Sequence, residues 1–346
     1  MMELEKLFRK NIRELQPYSC ARDEYSGKPA VFLDANENPW ETGYNRYPDP
    51  WQRELKGVLS ELKEVPVENI LLGNGSDEII DLLIRTVCEP GKDNIVLFSP
   101  GYSMYEVSAG INDTEVRKIN LTPDFLPDWE ALWKQIDLRT KIVFLCTPHN
   151  PTGKVVPHEQ IAAVCRDFPG LVLVDEAYID FTEEPSAVRL LEDFPNIVVL
   201  QTLSKAWGMA GLRLGLCVAD RNVIQVLNKV KAPYNVSSLT QKIAAGLLKQ
   251  HKDFLVRVGV LKSERDKLQR ALVSLEIFEQ VYESQANFIL VISKECRKVY
   301  QYLIDHRLVV RLRDIPPLIA GGIRITIGTP EENERLLKVL KEYKEQ

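Results

Sequence analysis

Between Ile95 and Ala219 the sequence repeats one kind of segment, a short and unbroken apolar run: Ile95-Val96-Leu97-Phe98, Ile142-Val143-Phe144-Leu145-Cys146, Leu171-Val172-Leu173-Val174, Ile197-Val198-Val199-Leu200 and Leu214 to Ala219. A strand with one wet face alternates polar and apolar residues, whereas a run apolar at every position must be covered on both faces. Most of the runs are separated by amphipathic stretches long enough for a helix. The pattern therefore predicts an α/β fold, a mainly parallel sheet sandwiched by helices. In such sheets ligands bind beyond the carboxyl ends of the strands. The segments to inspect are those that follow each run: Ser99-Pro100-Gly101-Tyr102, Thr147 to Gly153, Asp175-Glu176-Ala177-Tyr178, and Thr202 to Lys205.

The flanking sequence has a different character. Residues 1–16 carry Leu4, Leu7, Phe8, Ile12 and Leu15 at helical spacing and stop at Gln16-Pro17; Val31-Phe32-Leu33 reads as a short strand, and 34–39 and 45–48 are rich in turn residues. Residues 1–48 are expected to form an arm that packs with a small domain and reaches a partner subunit. Residues 49–245 would be the large domain. There Leu55, Val58, Leu59 and Leu62 mark a helix, and Ile70-Leu71-Leu72 a strand. Gly73-Asn74-Gly75-Ser76-Asp77-Glu78 then opens another helix, with Asn74 or Ser76 as its cap. That turn suits either a plain capped helix, whose dipole Asp77 and Glu78 satisfy, or a backbone cradle for an anion. Past Ala232-Pro233-Tyr234, Leu239 to about Leu275 reads as a long helix broken near Gly259. Strands at Phe288–Ile292, Leu308–Arg311 and Ile323–Ile327 and a closing helix Pro330–Tyr343 make residues 246–346 a smaller α+β domain.

Composition narrows the function. With 44 basic and 49 acidic residues the net charge is only −5, and no long run of one sign exists, so neither nucleic acid nor an acidic membrane is an expected partner. Nowhere do eighteen apolar residues run together and the N-terminus has no apolar signal-like region, which points to a cytoplasmic enzyme. The six cysteines lie far apart without a C-x-x-C, and the four histidines form no H-x-x-x-H pair, so no metal site is expected.

The chemistry concentrates in Thr202-Leu203-Ser204-Lys205-Ala206-Trp207-Gly208-Met209-Ala210-Gly211-Leu212-Arg213. Hydroxyls at Thr202 and Ser204 with Arg213 suit a phosphate, and Lys205 in apolar surroundings could stay partly uncharged, which suggests a lysine Schiff base beside a phosphate site. Asp175, if buried, could hold a protonated ring nitrogen, and Tyr178 could reach the same ligand's phenolic oxygen. Tyr102 could lay its ring on a flat ligand. Each residue also has a plainer explanation: Asp175 as a cap, Asn150 as part of a tight Asn-Pro turn, Tyr102 as core.

In this order, Asn150-Pro151-Thr152-Gly153, Asp175-Glu176-Ala177-Tyr178 and Ser204-Lys205 with Arg213 resemble the fold type I pyridoxal-phosphate aminotransferases over nearly the whole chain. Pro17-Tyr18-Ser19-Cys20-Ala21-Arg22, Leu33 to Pro39, Asn45-Arg46-Tyr47-Pro48, Leu312-Arg313-Asp314 and Ile323 to Gly328 are similar to the histidinol-phosphate aminotransferase family within that class. The resemblance implies pyridoxal 5′-phosphate held covalently by Lys205, with Asp175 on the pyridine nitrogen, Tyr178 and Asn150 on its O3′, and Tyr102 stacked on the ring. The cofactor phosphate would be bound by Ser204, Arg213, Thr202 and the turn Gly75-Ser76-Asp77, joined by Tyr47 from the partner of a homodimer. Arg324 would clamp a substrate carboxylate, with Tyr18, Tyr234 and Arg313 around the substrate phosphate and Asn36 also binding substrate; strand-edge ion pairs are the plainer explanation for the two arginines. The implied reaction is transamination of histidinol phosphate with 2-oxoglutarate to imidazole-acetol phosphate and glutamate, in histidine biosynthesis. An aromatic amino-acid aminotransferase and a threonine-phosphate decarboxylase of the same fold remain alternatives. The turn from Asp314 to Gly322 is short and apolar, with two prolines, which departs from the family pattern beside Arg313.

Overall fold

The structure, a computed structural model, describes residues 4–24 and 31–344. Among the described residues, eleven strands form two sheets. The larger contains β1 (Ile70–Asn74), β2 (Asn94–Ser99), β3 (Glu115–Asn120), β4 (Thr140–Cys146), β5 (Leu171–Asp175), β6 (Ile197–Thr202) and β7 (Leu214–Ala219), in the order β1-β7-β6-β5-β4-β2-β3. Pairing is parallel from β3 through β6, and β7 runs antiparallel to both of its neighbours, β6 and β1. The smaller sheet is antiparallel, with β8 (Gln280–Val281), β9 (Phe288–Ile292), β10 (Arg311–Leu312) and β11 (Gly322–Thr326) in the order β10-β11-β9-β8.

The apolar runs are apolar throughout because each strand feeds two cores. Ile95, Leu97, Ile142, Phe144, Leu171 and Leu173 pack on one face with the helices Ser76–Val87 and Arg221–Val230. Their neighbours Val96, Phe98, Val143, Leu145, Val172 and Val174 pack on the other with the helices Trp129–Gln135 and His158–Asp167. A third core, built from Leu268, Leu272, Ile289, Val291, Ile323, Ile325 and Leu340, lies beneath the small sheet. Between the sheets Tyr178, Phe181, Ala206, Val258 and Phe288 form a junction. Gln285 N–H donates to Gly153 O at 2.9 Å there, so the small sheet is tied directly to the Asn-Pro-Thr-Gly turn.

Several expectations are corrected. Residues 4–13 are a short 3₁₀ turn, Leu4–Leu7, and one α-turn, Lys10–Arg13, in place of one helix; the start of that expected helix, 1–3, lies outside the described residues. Arg9 interrupts it by donating its N–H to Thr86 O (3.1 Å) and its guanidinium to Arg85 O (2.9 Å), which caps the end of the neighbouring helix. Leu4, Phe8 and Ile12 remain buried. Residues 31–33 form no strand: among the described residues no strand pairs with them, Val31 and Leu33 are exposed, and Phe32 lies beneath the guanidinium groups of Arg22 and Arg46. The long helix breaks at Lys249-Gln250, and helix His251–Val273 runs straight through Gly259. Residues 308–310 are not strand; the ladder starts only at Arg311. The first position of helix Ser76–Val87 is capped by Gly75, with φ 84°, instead of by the Asn74 or Ser76 side chain. The polar edge strand β3 was absent from the reading, because only an edge position lets Glu115 and Arg117 face water.

Candidate active site

The carboxyl ends of β4, β5 and β6 deliver Cys146, Asp175 and Thr202 to one edge of the large sheet. The reversal of β7 brings its first residues to that same edge, with Gly215 paired to both Thr202 and Gly73, so Arg213 meets the turn after β1. The approach is close. A Cβ on Gly215 would lie 2.4 Å from the Ser76 nitrogen, and one on Gly75 would lie 2.8 Å from Arg213 Nη2. Only glycine leaves that backbone open, and the N-terminus of helix Ser76–Val87 faces the resulting cavity of about 180 Å³.

Ser76, Asp77, Tyr102, Asn150, Asp175, Tyr178, and then Thr202, Ser204, Lys205 and Arg213, line this cavity. Asp175 is buried, its carboxylate accepting from the Tyr105 hydroxyl and from Ala177 N–H at 3.0 Å. Burial pushes the Asp175 carboxyl above its ordinary value, outweighing those hydrogen bonds. Among the described residues no cation pairs with it. Such a group suits a ligand that brings its own positive charge, as a protonated ring nitrogen does. Lys205 is open to solvent at the cavity mouth, but the protein packed round it, followed by the positive charge of Arg324, moves its ammonium below the usual lysine value. Its Nζ stands 6.0 Å from the centre of the Tyr178 ring. Tyr178 packs edge-on against Phe288 at 5.1 Å, and burial raises its phenol. Asn150 is buried and accepts from Arg324 Nη1 at 2.6 Å, while Tyr102 donates to Asp77 Oδ1 at 3.0 Å. At the opposite end Ser76 N–H, the Thr202 and Ser204 hydroxyls and Arg213 make a donor set suited to a phosphate.

The arm residues are elsewhere. Within one chain Tyr47 stacks on Tyr234 at 4.5 Å and, with Asn36, they line a separate recess of about 450 Å³, while Tyr18 is exposed. Arg313 is half-buried, and its guanidinium is lowered by burial and then by Arg324. The sequence reading overlooked Tyr105 and Cys146. Tyr105 falls three residues after Tyr102, at the start of the helix Met104–Ile111, and its ring meets that of Tyr102 edge-on at 5.5 Å; Cys146 ends an apolar run and carries no sequence cue. His149 beside Asn150 is buried, its Nδ1 2.9 Å from Thr152 Oγ1, and burial lowers it to about 4, so it is neutral at neutral pH.

Residues 25–340 match the family described as aminotransferase class I and II. A histidinol-phosphate aminotransferase of Cytophaga hutchinsonii is 49% identical over 346 residues, covering 98% of this chain and 99% of that one. Among solved structures, the histidinol-phosphate aminotransferase from Clostridium acetobutylicum superposes with a TM-score of 0.80 at 23% identity, over 88% of this chain and 92% of that one. That from Sinorhizobium meliloti, in complex with pyridoxal-5′-phosphate, gives 0.78 at 24% identity, over 86% and 83%.

Proposed function

The chain belongs to the histidinol-phosphate aminotransferases, within the class I and II aminotransferases, and on that premise we propose that it transfers the amino group of histidinol phosphate to 2-oxoglutarate. It uses pyridoxal 5′-phosphate. The observation that carries the reading is the buried Asp175 carboxylate, with no cation partner among the described residues, lining the same cavity as Lys205. When bound, the cofactor supplies the reactive aldehyde and the electron sink for the substrate's α-carbon.

The chain's own residues would do the rest. Asp175 would keep a ring nitrogen protonated, Tyr178 and Asn150 would hold the ring oxygen, and Tyr102 would cover the ring face. Ser76, Thr202, Ser204 and Arg213, with the backbone at Gly75 and Asp77, would bind the phosphate. Lys205, with its basicity lowered, would attach the cofactor and, once displaced, carry the proton to and from the α-carbon. Arg324 would hold the α-carboxylate of glutamate. Arg313 would lie at the distal phosphate, with Tyr18 and Tyr234 closing round it, and Asn36 would also bind substrate. The products are imidazole-acetol phosphate and glutamate, which places the reaction in histidine biosynthesis.

A homodimer supports this arrangement best, because Tyr47 and Asn36 lie outside the cavity of their own chain and the arm exposes Trp40, Tyr44 and Tyr47. The partner subunit's Tyr47 would then complete the phosphate site. Residues 1–48 would be the arm, 49–245 the large domain and 246–346 the small one. The cytoplasm fits six cysteines that are all unpaired, and no described helix is long and apolar enough to cross a membrane.

Amino-donor profiling with purified holoenzyme and 2-oxoglutarate tests the reading. Histidinol phosphate should be the preferred donor. Preference for phenylalanine would indicate an aromatic aminotransferase, and carbon dioxide release from threonine phosphate without need of a keto acid would indicate the decarboxylase.

A further inference from the structure

Two segments far apart in the chain meet beside the arm. Residues 47–50 carry Tyr47 and residues 232–235 carry Tyr234, and the two rings stack at 4.5 Å with their planes 16° apart. Lys231 joins the segments. It is buried, and its Nζ donates to Pro50 O at 3.3 Å, to Ala232 O at 3.3 Å and to Asn235 Oδ1 at 3.2 Å. An ammonium has three donors and no acceptor, so these three oxygens use it fully.

The junction is anchored to the large sheet. Asn235 donates to Leu72 O, in β1, at 3.0 Å and to Glu78 Oε2, in helix Ser76–Val87, at 2.8 Å. Gln52, wholly buried, donates to Pro50 O at 2.7 Å and takes a left-handed backbone, φ 51°, which the contacts around it must hold. Lys231 thus fixes the segments of Tyr47 and Tyr234 to each other and both to the sheet.

That use of a lysine is expensive. Burial moves its ammonium below the usual lysine value, with Glu78 and Asp49 offsetting part of the loss, and Lys56, buried as well, is a second positive charge nearby. Methionine, of similar length, would fill the space with no charge to desolvate. What the three bonds hold explains the cost. Tyr47 is exposed and lies outside the cavity of its own chain. A ring that serves a site across a subunit boundary has to be held in place from its own side. We propose that Lys231 is a positioning residue that aims Tyr47 at the cofactor phosphate bound by the partner subunit. This rests on the homodimer reading above.

The test uses hybrid dimers, refolded without cofactor from two differently tagged chains, one of which carries Lys205→Ala. Only the other chain's site can then attach pyridoxal 5′-phosphate, and titration reads the Kd of that intact site from the absorbance of lysine-bound cofactor. With Lys231→Met on the Lys205→Ala chain, the intact site receives Tyr47 from the variant chain, and its Kd should rise about tenfold. With Lys231→Met on the chain that keeps Lys205, Kd should stay within about twofold of wild type. Equal Kd values in the two hybrids, or a larger rise in the second, overturn the proposal, because a general loss of structure is felt on both sides. Should the methionine chain fail to refold, Lys231→Gln takes its place with the same expected asymmetry. Tyr47→Ala on the Lys205→Ala chain separates the premise from the proposal. A wild-type Kd there overturns the exchange of Tyr47 between subunits and the role of Lys231 with it, whereas a raised Kd there beside an unchanged one for Lys231→Met overturns Lys231 alone.

Discussion

The phenol of Tyr105 donates to one oxygen of the buried Asp175 carboxylate, whose other oxygen accepts from Ala177 N–H. Tyr105→Phe removes the donor and leaves an oxygen of Asp175 unsatisfied, which should cost about 1–3 kcal/mol of stability by urea titration of the cofactor-free protein. An unchanged midpoint would show that the bond contributes nothing. Lys205→Ala should lower turnover by ~10²–10⁴ or more, since a positioned acid–base group supplies that much and the covalent anchor goes with it. The cofactor's absorbance in the variant should resemble that of the free aldehyde. For Arg324 the chemistry of the two donors differs: glutamate has a carboxylate on its reacting carbon and histidinol phosphate has none. Arg324→Ala should therefore slow the glutamate half-reaction far more than the other, and stopped-flow traces showing equal losses would contradict the assignment. Lys205, Asp175 and Tyr178 were legible at this scale because each follows an apolar run. Tyr105 was not, since its partner lies 70 positions away in the chain.

At the scale of elements, one carboxylate ties separate stretches of residues 22–47 to one another. Glu37 accepts from Arg22, from Arg46 Nη1 at 2.8 Å and from Tyr47 N–H at 2.7 Å, so residues 22, 37, 46 and 47 share a node. Burial would push its carboxyl up, but the bonds from Arg22, Arg46 and Tyr47 more than offset this and hold it at about 2. A depressed carboxyl stabilises fully above its ordinary value of 4.5, and the contribution is lost as pH falls from there through about 2. Hydrogen exchange over residues 34–47 should accordingly stay slow, relative to the intrinsic rate, at pH 5 and 7 and quicken below about 4. Glu37→Gln should show the quickened pattern already at neutral pH; equal protection in the variant would remove Glu37 from this part. No spacing rule pairs Arg22 with Glu37, whereas the β4, β5 and β6 runs were readable as strands because burial on both faces leaves a local signature.

At the scale of the molecule, the placement of Tyr47 outside its own cavity leads to a mixing experiment. Tyr47→Ala and Lys205→Ala chains, unfolded and refolded together, should regain activity above the mean of the two parents, because one site of each hybrid would join an intact Lys205 to the partner subunit's Tyr47. Activity equal to that mean would return Tyr47 to its own chain. The sequence by itself determined that a helix-covered, mainly parallel sheet forms and that chemistry gathers beyond its strand ends. Those features follow from local periodicity and from the few residue types a buried ligand site tolerates. Tertiary structure alone decided that β7 runs backwards and so carries Arg213 to the Gly75-Ser76 turn, that Gln285 ties the small sheet to the Asn150 turn while Phe288 packs on Tyr178, and that Arg311 stands opposite Arg324 with no ion-pair partner for either among the described residues. Strand direction, sheet order and cross-strand register arise from contacts between segments far apart in the chain, and burial pattern, which reports only whether a face is covered, is the same for either direction.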